Sequence, residues 1–224
     1  MPRPSLLMKA GRKARIVIVD DHPIMRMGLR QLLKSSQLVE VCAEAGSVSE
    51  AISVITAARP VDLVLVDISL PDRSGLELVR DLRTIDPGAR SLVVSSHDER
   101  VYAERVLRAG GRGYLMKDRA PEQIIAAVSQ VLDGGIFLSP SMTSRMMEAL
   151  SGSKSSSAIS GLTDRELEVF RAIGEGKSSR EISGLLGVSI RTIDAHRTHI
   201  KDKLGLRDAA ALSYEAIRWM ESQA

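Results

Sequence analysis

The sequence predicts an α/β protein with a doubly wound, five-stranded parallel sheet and a second, smaller all-α domain. Short apolar runs rich in β-branched residues alternate with helical segments as far as residue 137, which is typical of a parallel sheet covered on both faces. A serine-rich stretch follows, and beyond it the pattern is only helical. Five strand–helix units are too few for an eight-stranded barrel, so the sheet is predicted to be open.

The elements of the first domain have recognisable boundary signals. Ser47 and Glu50 have the spacing of a capping box, Pro60 ends the second helix, and Pro121 suits a first helical turn. The predicted strands are 15–19, 39–45, 63–67, 91–95 and 113–116, and the predicted helices are 23–34, 48–58, 75–85, 98–109 and 121–133.

The serine-rich stretch separates two regions of different pattern. Six of the ten residues at 151–160 are serine, which is typical of a flexible linker, and a short helix is predicted just before it at about 140–150. A last helix is predicted from about Asp208 to Met220. We therefore predict four regions, namely a basic flexible tail (1–14), the sheet domain (15–137), a linker with a short helix (138–160) and the helical domain (161–224).

Composition restricts the class of protein. Hydrophobic residues make up 44% and charged residues 26% of the 224 positions, as in ordinary globular proteins. The single cysteine, Cys42, excludes a disulfide framework, and no apolar run approaches the length of a membrane helix. We therefore expect a cytoplasmic protein without a membrane partner. The first 15 residues hold five basic and no acidic side chains, so the net charge of +3 does not by itself indicate nucleic-acid binding.

Polar side chains follow four of the five predicted strands. Asp20 and Asp21 follow the first strand, Asp67 ends the third, Ser95 ends the fourth, and Lys117 follows the fifth. Because ligands of open α/β sheets bind beyond the carboxyl ends of the strands, we expect these groups to meet at one edge. Clustered carboxylates repel one another unless a cation is present, and carboxylate oxygens are ligands that Mg²⁺ prefers. A single aspartate there would be an ordinary turn residue, but the full set indicates a magnesium site.

The text around these residues resembles a bacterial response-regulator receiver domain. The matching stretches are VIVDDHP at 17–23, LVLVDISLPDRSGLEL at 63–78, LVVSSHDE at 92–99 and GGRGYLMKD at 110–118. The resemblance implies a flavodoxin-like fold and a sensor histidine kinase as partner, with Asp67 as phosphoacceptor. It further implies Mg²⁺ ligands at Asp20, Asp21, Asp67 and the backbone carbonyl of Ser69, and switch or phosphoryl contacts at Ser95, Tyr114 and Lys117.

The resemblance also bears on catalysis. It implies that the chain catalyses only its own Mg²⁺-dependent phosphorylation and dephosphorylation, so we do not expect an enzyme acting on other substrates. His22 adjoins the acidic pair but is expected to be a surface loop residue rather than a phosphotransfer group.

The helical domain contains the pattern of a helix-turn-helix. Thr163 with Glu166 and Ser178 with Glu181 have capping-box spacing, and Ser189 suits a third cap. The text from Leu162 to Leu206 resembles the LuxR-type DNA-binding domain, and its pairing with a receiver resembles the NarL/FixJ subfamily of response regulators. The resemblance implies that residues 190–204 form the recognition helix.

Residues on the recognition helix are the candidates for DNA contact. Basic side chains are expected to bind phosphates, whereas Asp194, Ala195 and Thr198 are expected at base edges. His196 is expected to pack in the core, and a zinc site with His199 is disfavoured because no further ligands complete it. The predicted DNA-binding residues are Arg191, Thr192, Asp194, Ala195, Arg197, Thr198, Lys201 and Lys203.

The leading interpretation is a phosphorylation-controlled transcription regulator that binds promoter DNA. The helical domain has balanced charge, so it should bind weakly as a monomer, and we expect a homodimer after phosphorylation. Two alternatives stay open. One is a constitutive DNA-binding regulator whose receiver is a dimerisation scaffold, and the other is an Mg²⁺-dependent phosphotransfer enzyme acting on small substrates.

Overall fold

The computed structural model describes residues 12–36, 38–150 and 158–223. The chain divides into two compact units, Met1–Ser151 and Gly152–Ala224. Most of the predicted basic tail and of the serine-rich stretch lies outside the described residues. Within the described ranges, the helices are too short or too polar to cross a membrane.

The first unit is built on the predicted five-stranded parallel sheet. Its strand order is β2-β1-β3-β4-β5, as expected for a doubly wound fold. Strands β1 and β3 are neighbours, and Val19 at the end of β1 lies opposite Val66 at the end of β3. The strands are β1 (Ala14–Val19), β2 (Val39–Ala45), β3 (Leu63–Val66), β4 (Arg90–Ser95) and β5 (Tyr114–Met116).

Five helices cover this sheet within one or two residues of the predicted bounds. They are α1 (Pro23–Lys34), α2 (Val48–Ala58), α3 (Gly75–Ile85), α4 (Glu99–Ala109) and α5 (Pro121–Leu132). The core is aliphatic, because inward residues of the strands, such as Ile18 and Leu65, pack against Leu33 of α1 and Val128 of α5. Burial of these side chains supplies most of the stabilisation of such a fold.

The predicted capping box of α2 forms only in part. The Ser47 hydroxyl accepts a hydrogen bond from the Glu50 amide at 3.1 Å, as expected. The Glu50 carboxylate, however, accepts from the amide of Gly46 at 2.6 Å rather than from that of Ser47. The cap therefore satisfies the same number of backbone donors with a partner displaced by one residue.

A sixth helix of the first unit, α6 (Pro140–Leu150), packs against α4 through polar contacts. Glu99, the first residue of α4, is buried, and its carboxylate accepts hydrogen bonds from the hydroxyls of Ser139 at 2.6 Å and Ser141 at 3.0 Å. Ser139 also accepts from the Met142 amide and so caps α6. The start of the predicted short helix is thus hydrogen-bonded to a buried carboxylate of the sheet domain.

The described part of the second unit, residues 158–223, contains a short 3₁₀ turn, Ala158–Gly161, and four helices. Both predicted capping boxes form, and Gly187 makes the helix-turn-helix corner in the left-handed conformation with φ of 64°. The core is formed by apolar side chains such as Phe170, Ile182, Ile193 and Leu212. The helices are α7 (Asp164–Gly174), α8 (Ser179–Leu186), α9 (Ile190–Leu204) and α10 (Ala209–Gln223).

Candidate functional site

Two buried carboxylates and one ammonium meet at the carboxyl edge of the sheet. Asp20 follows β1 and Asp67 follows β3, and their side chains are only 2% and 4% exposed. They lie side by side because β1 and β3 are paired in register up to their last residues. Lys117 follows β5, and its Nζ lies 2.6 Å from Asp20 Oδ2 and 2.7 Å from Asp67 Oδ2. The ammonium therefore bridges two carboxylates that would otherwise repel each other.

The charge state of Lys117 follows from this geometry. Burial by itself lowers the pKa of the Lys117 ammonium, because the charged form loses its hydration. The charge of Asp67 and the hydrogen bonds that the ammonium donates to both carboxylates outweigh that loss, so the pKa lies above its ordinary value. Lys117 is therefore a fixed cation at neutral pH.

The residues around the two buried carboxylates could also hold a metal ion. Ligand atoms of Asp20, Asp21, His22 and Asp67 all lie within 4.8 Å of one another, with Asp21 and His22 on the exposed side. A set dominated by carboxylate oxygens and open to solvent on one side fits Mg²⁺, which keeps several waters. Three of the four predicted ligands thus come together, and Ser69, the fourth, lies two residues after Asp67.

His22 is an exposed loop residue, as the sequence suggested, and it also belongs to this cluster. Its imidazole is 69% exposed, and its Nδ1 lies 2.6 Å from Asp21 Oδ1. Its amide also donates to Asp20 Oδ1 at 2.9 Å. The adjacency to the acidic pair in the sequence was the available signal. The backbone contact orients Asp20, which is a positioning role rather than a phosphotransfer role.

The loop after Asp67 is held tightly against the site. The Gly75 amide donates to the carbonyl of Ile68 at 2.8 Å. A Cβ atom at Gly75 would lie 1.9 Å from the carbonyl oxygen of Asp67, so only glycine fits here. The Ile68 amide in turn donates to Asp67 Oδ1 at 2.7 Å, which fixes the orientation of that carboxylate.

Asp72 anchors the same loop to α2. Its two carboxylate oxygens accept from the amides of Val48 and Ser49, both at 2.9 Å. Burial would raise the pKa of Asp72, but the hydrogen bonds from these amides and from the Ser49 hydroxyl lower it below its ordinary value. Asp72 therefore stays ionised and acts as a second cap of α2.

The two predicted switch residues are both buried and both contact His97. Ser95 is 1% exposed, and its hydroxyl accepts from the His97 amide at 3.4 Å. Tyr114 is equally buried, and its hydroxyl donates to the His97 carbonyl at 2.6 Å. The His97 Nε2 lies 2.7 Å from the Ser69 hydroxyl. His97 thus connects the loop after Asp67 with both switch residues, which no periodicity in the sequence signalled.

In the second unit, four exposed residues of α9 form one stripe. Arg191, Asp194, Ala195 and Thr198 are exposed, whereas Ile193 and Ile200 are buried on the opposite side. This spacing of three, four and seven residues places the four exposed side chains on one helical face. Thr192 is also exposed, and its hydroxyl lies 2.8 Å from that of the capping Ser189.

The predicted phosphate-contact residues differ in their surroundings. Arg191, Arg197 and Lys201 have no hydrogen-bond or ion-pair partner within the described residues. Arg197 is half-buried and lines an open groove of about 340 Å³ together with Lys177. Lys203, in contrast, lies 2.6 Å from the buried carboxylate of Glu166. The first three cations are therefore free to bind an anion, whereas Lys203 already has one.

His196 is half-buried beside the core, in agreement with the expected packing role. Burial lowers its pKa below the ordinary 6.5, and the charges of Arg165 and His199 lower it further, against an opposing effect of Glu166. A neutral imidazole at this position agrees with a packed side chain.

Comparisons with known proteins agree with this geometry. Residues 16–129 match the response regulator receiver domain, and residues 160–216 match the bacterial regulatory proteins of the luxR family. The transcriptional regulatory protein UhpA of Escherichia coli is 35% identical over 88% of this chain and 95% of its own length.

Two solved structures of the response regulator RcsB are similar over most of the chain. RcsB from Salmonella enterica serovar Typhimurium, bound to promoter rprA with the phosphomimetic BeF₃⁻, is 25% identical with a TM-score of 0.61, covering 91% of this chain and 98% of its own. The structure of two RcsB dimers bound to two parallel DNAs is 26% identical with a TM-score of 0.57, covering 91% and 97%.

Proposed function

The chain belongs to the two-component response regulators, with a receiver domain followed by a LuxR-type DNA-binding domain, and we propose that phosphorylation of Asp67 controls its binding to promoter DNA. Its relatives of this architecture are regulators of transcription. The observation that carries the proposal is the buried carboxylate of Asp67, held 2.7 Å from the Lys117 ammonium and beside Asp20 and Asp21. The phosphoryl donor would be a sensor histidine kinase in the cytoplasm.

The transfer step follows from the groups around Asp67. A carboxylate oxygen of Asp67 forms the new P–O bond, the P–N bond of the donor phosphohistidine breaks, and the imidazole keeps the electron pair and takes a proton from solvent. Lys117 is placed to neutralise the anionic phosphoryl oxygens. Mg²⁺, held by Asp20, Asp21, Asp67 and the Ser69 carbonyl, would supply further neutralisation and orientation of those oxygens.

The signal would leave the site through the two buried switch residues. A phosphorylated Asp67 is larger and more anionic, so the hydroxyl of Ser95 gains a new acceptor. Any movement of Ser95 disturbs His97, whose carbonyl accepts from Tyr114. A change from mostly inactive to mostly active needs about 5.5 kcal/mol of differential stabilisation. The phosphoryl contacts therefore bias a two-state element.

The surface that binds DNA would be the exposed stripe of α9. Arg191, Arg197 and Lys201 would bind phosphates, because they are basic and have no partner in the described part of the chain. Lys203 would do so only by exchanging its contact with Glu166. Asp194, Ala195 and Thr198 would meet base edges, and Thr192 would assist at the helix start. A homodimer on two half-sites would double these contacts, and the dimeric RcsB complexes on DNA support that arrangement.

The test is phosphorylation by acetyl phosphate in Mg²⁺. We expect Asp67→Asn to lower labelling at least about 100-fold, because the amide cannot form the acyl phosphate. Asp118→Asn is the matched control, since this side chain is 72% exposed and should label like the parent. Labelling that persists in Asp67→Asn refutes the assignment.

DNA binding gives the second half of the test. Fluorescence anisotropy with duplex DNA, with and without beryllofluoride and Mg²⁺, should show tighter binding in the activated state. Equal affinity in both states would favour the constitutive regulator with a receiver scaffold, and steady turnover of a phosphorylated metabolite would favour the enzyme.

A further inference from the structure

The exposed stripe of α9 carries an acidic residue that is held from another helix. The hydroxyl of Ser179, the first residue of α8, donates to Asp194 Oδ1 at 2.9 Å. This contact joins the two helices of the helix-turn-helix. A carboxylate on a surface that meets a polyanion is unfavourable unless it makes a specific contact, because phosphates repel it. The position of Asp194 on that stripe therefore calls for a specific partner.

Two neighbours of Asp194 on the same face, Ala195 and Thr198, can present methyl groups to a ligand. The Thr198 hydroxyl donates to the backbone carbonyl of Asp194 at 3.1 Å, so its proton is used within the helix. Thr198 therefore offers its methyl group, and Ala195 has only a methyl group to offer. Beside the cation of Arg191, the stripe thus combines one hydrogen-bond acceptor with two methyl groups.

The contact with Ser179 leaves one carboxylate oxygen available. An exposed aspartate otherwise samples several rotamers, and a hydrogen bond from a second helix selects among them. Asp194 Oδ1 is engaged by Ser179, whereas Oδ2 has no hydrogen-bond partner in the described ranges. The free oxygen is therefore presented in a defined direction.

We propose that Ser179 is a positioning residue that fixes Asp194 as the acceptor for the N4 amino group of a cytosine in the major groove. The inference rests on the proposed function, in which α9 enters that groove. Carboxylates accept from cytosine N4, and methyl groups such as those of Ala195 and Thr198 contact the thymine methyl. The recognition helix would then favour a G·C pair next to A·T pairs whose thymine methyls face the helix.

The experiment is selection of binding sites from a random duplex library by the full chain with beryllofluoride and Mg²⁺. We expect the parent to select a G·C pair at one position and Asp194→Ala to lower that preference about tenfold, the value of one well-placed contact. Ser179→Ala should lower it about threefold at the same position, with no additional effect in the Asp194→Ala background. Ser222→Ala is the control, because its hydroxyl donates to Trp219 within α10.

The outcomes separate the inference from the proposed function. A merely structural role of Ser179 would weaken binding to all selected sites equally, and that result overturns the positioning role. So does a Ser179→Ala motif identical to that of the parent, or selection of an A·T pair at the Asp194-dependent position. If the parent selects no motif, the proposed DNA-binding function itself fails, and the inference fails with it.

Discussion

The two units of this chain both bury charged side chains, but for different purposes. In the receiver, Asp20, Asp67 and Lys117 come from three separate strand ends and are buried around a place where a phosphoryl group would bind. In the DNA-binding unit, Glu166 is as deeply buried as Asp67, yet it caps its own helix and pairs with Lys203. Burial of charge therefore indicates chemistry only where several elements direct such groups to one place.

The exposed charges show the opposite distribution. The residues proposed to meet DNA, such as Arg191 and Asp194, are exposed, because a duplex is too large to enter a pocket. Exposed cations attract phosphates over a long range, whereas a phosphoryl group is stabilised best in a site that excludes water. Charged side chains of the same types are thus proposed to serve two functions, one where they are buried and another where they are exposed.

The largest expected effect tests the cation in the receiver. Lys117→Ala leaves two buried carboxylates without a counter-charge, so we expect it to destabilise the receiver by about 3 kcal/mol in EDTA. Millimolar Mg²⁺ should restore much of that loss, because the metal replaces the missing cation. Hydrogen exchange of peptides from β1 and β3, with and without Mg²⁺, measures both effects.

The matched variant in the second unit is Lys203→Ala. Lys203 is 39% exposed, so its pair with Glu166 should contribute only about 1 kcal/mol, and Mg²⁺ should change nothing. Trp219 is the only tryptophan of the sequence, and its ring centroid lies 5.7 Å from that of the buried Phe170. Its fluorescence during urea unfolding therefore reports on this unit. Equal protection of both variants by Mg²⁺ would contradict the distinction between the two buried sites.

A smaller effect is expected from acid on the DNA-binding unit. The pKa of His196 is lowered in the folded state, chiefly by burial, so the unfolded chain binds a proton more readily. Stability should therefore be unaffected by His196 well above pH 6.5 and fall as the pH drops below it. Urea unfolding followed by Trp219 fluorescence should show a lower midpoint at pH 5.5 than at pH 7.5.

His196→Gln should remove most of this pH dependence. The exposed His199→Gln should retain most of it, which provides the control. Because the pKa of Glu166 is lowered from 4.5 by Lys203 and Thr163 against its own burial, its stabilisation is lost only at still lower pH and does not overlap this window. An unchanged pH profile in His196→Gln would contradict the assignment.

The smallest effect on stability is expected for Arg191→Ala. Its side chain is exposed and has no partner among the residues that the structure describes, so the unfolding midpoint should not move. The dependence of DNA affinity on salt should decrease by about one unit of slope, the value of one phosphate contact. Anisotropy titrations at several salt concentrations measure the slope, and an unaltered slope would remove Arg191 from the interface.

The sheet, its flanking helices and the meeting of Asp20, Asp67 and Lys117 could be predicted from the sequence. Apolar runs and capping residues determine the elements, and the parallel topology then brings the strand ends to one edge. These inferences need only local pattern and one general rule of folds.

The individual side-chain contacts that cap helices or position the site residues could not be predicted in this way. Asp72 caps α2 by accepting from Val48, a residue 24 positions away in the sequence, and Ser179 donates to Asp194, which is 15 positions away. Glu50 accepts from the amide of Gly46, one position before the expected amide of Ser47. Each depends on side-chain rotamers and on the spacing of two packed elements, neither of which leaves a periodic signal. His97 was missed for the same reason, since its contacts with Ser69, Ser95 and Tyr114 come from different loops and strands.

The buried carboxylate of Glu99 has a practical consequence for anyone who excises the receiver. Its two hydroxyl donors, Ser139 and Ser141, lie beyond the last strand and helix of the sheet domain, at the start of α6. A truncation after Leu138 would remove both donors, and the α6 helix that packs on α4, from the first turn of α4. A fragment that ends after Leu150 keeps both donors. A receiver fragment that preserves the contacts of Glu99 therefore includes α6, although the sequence assigned this helix to the linker.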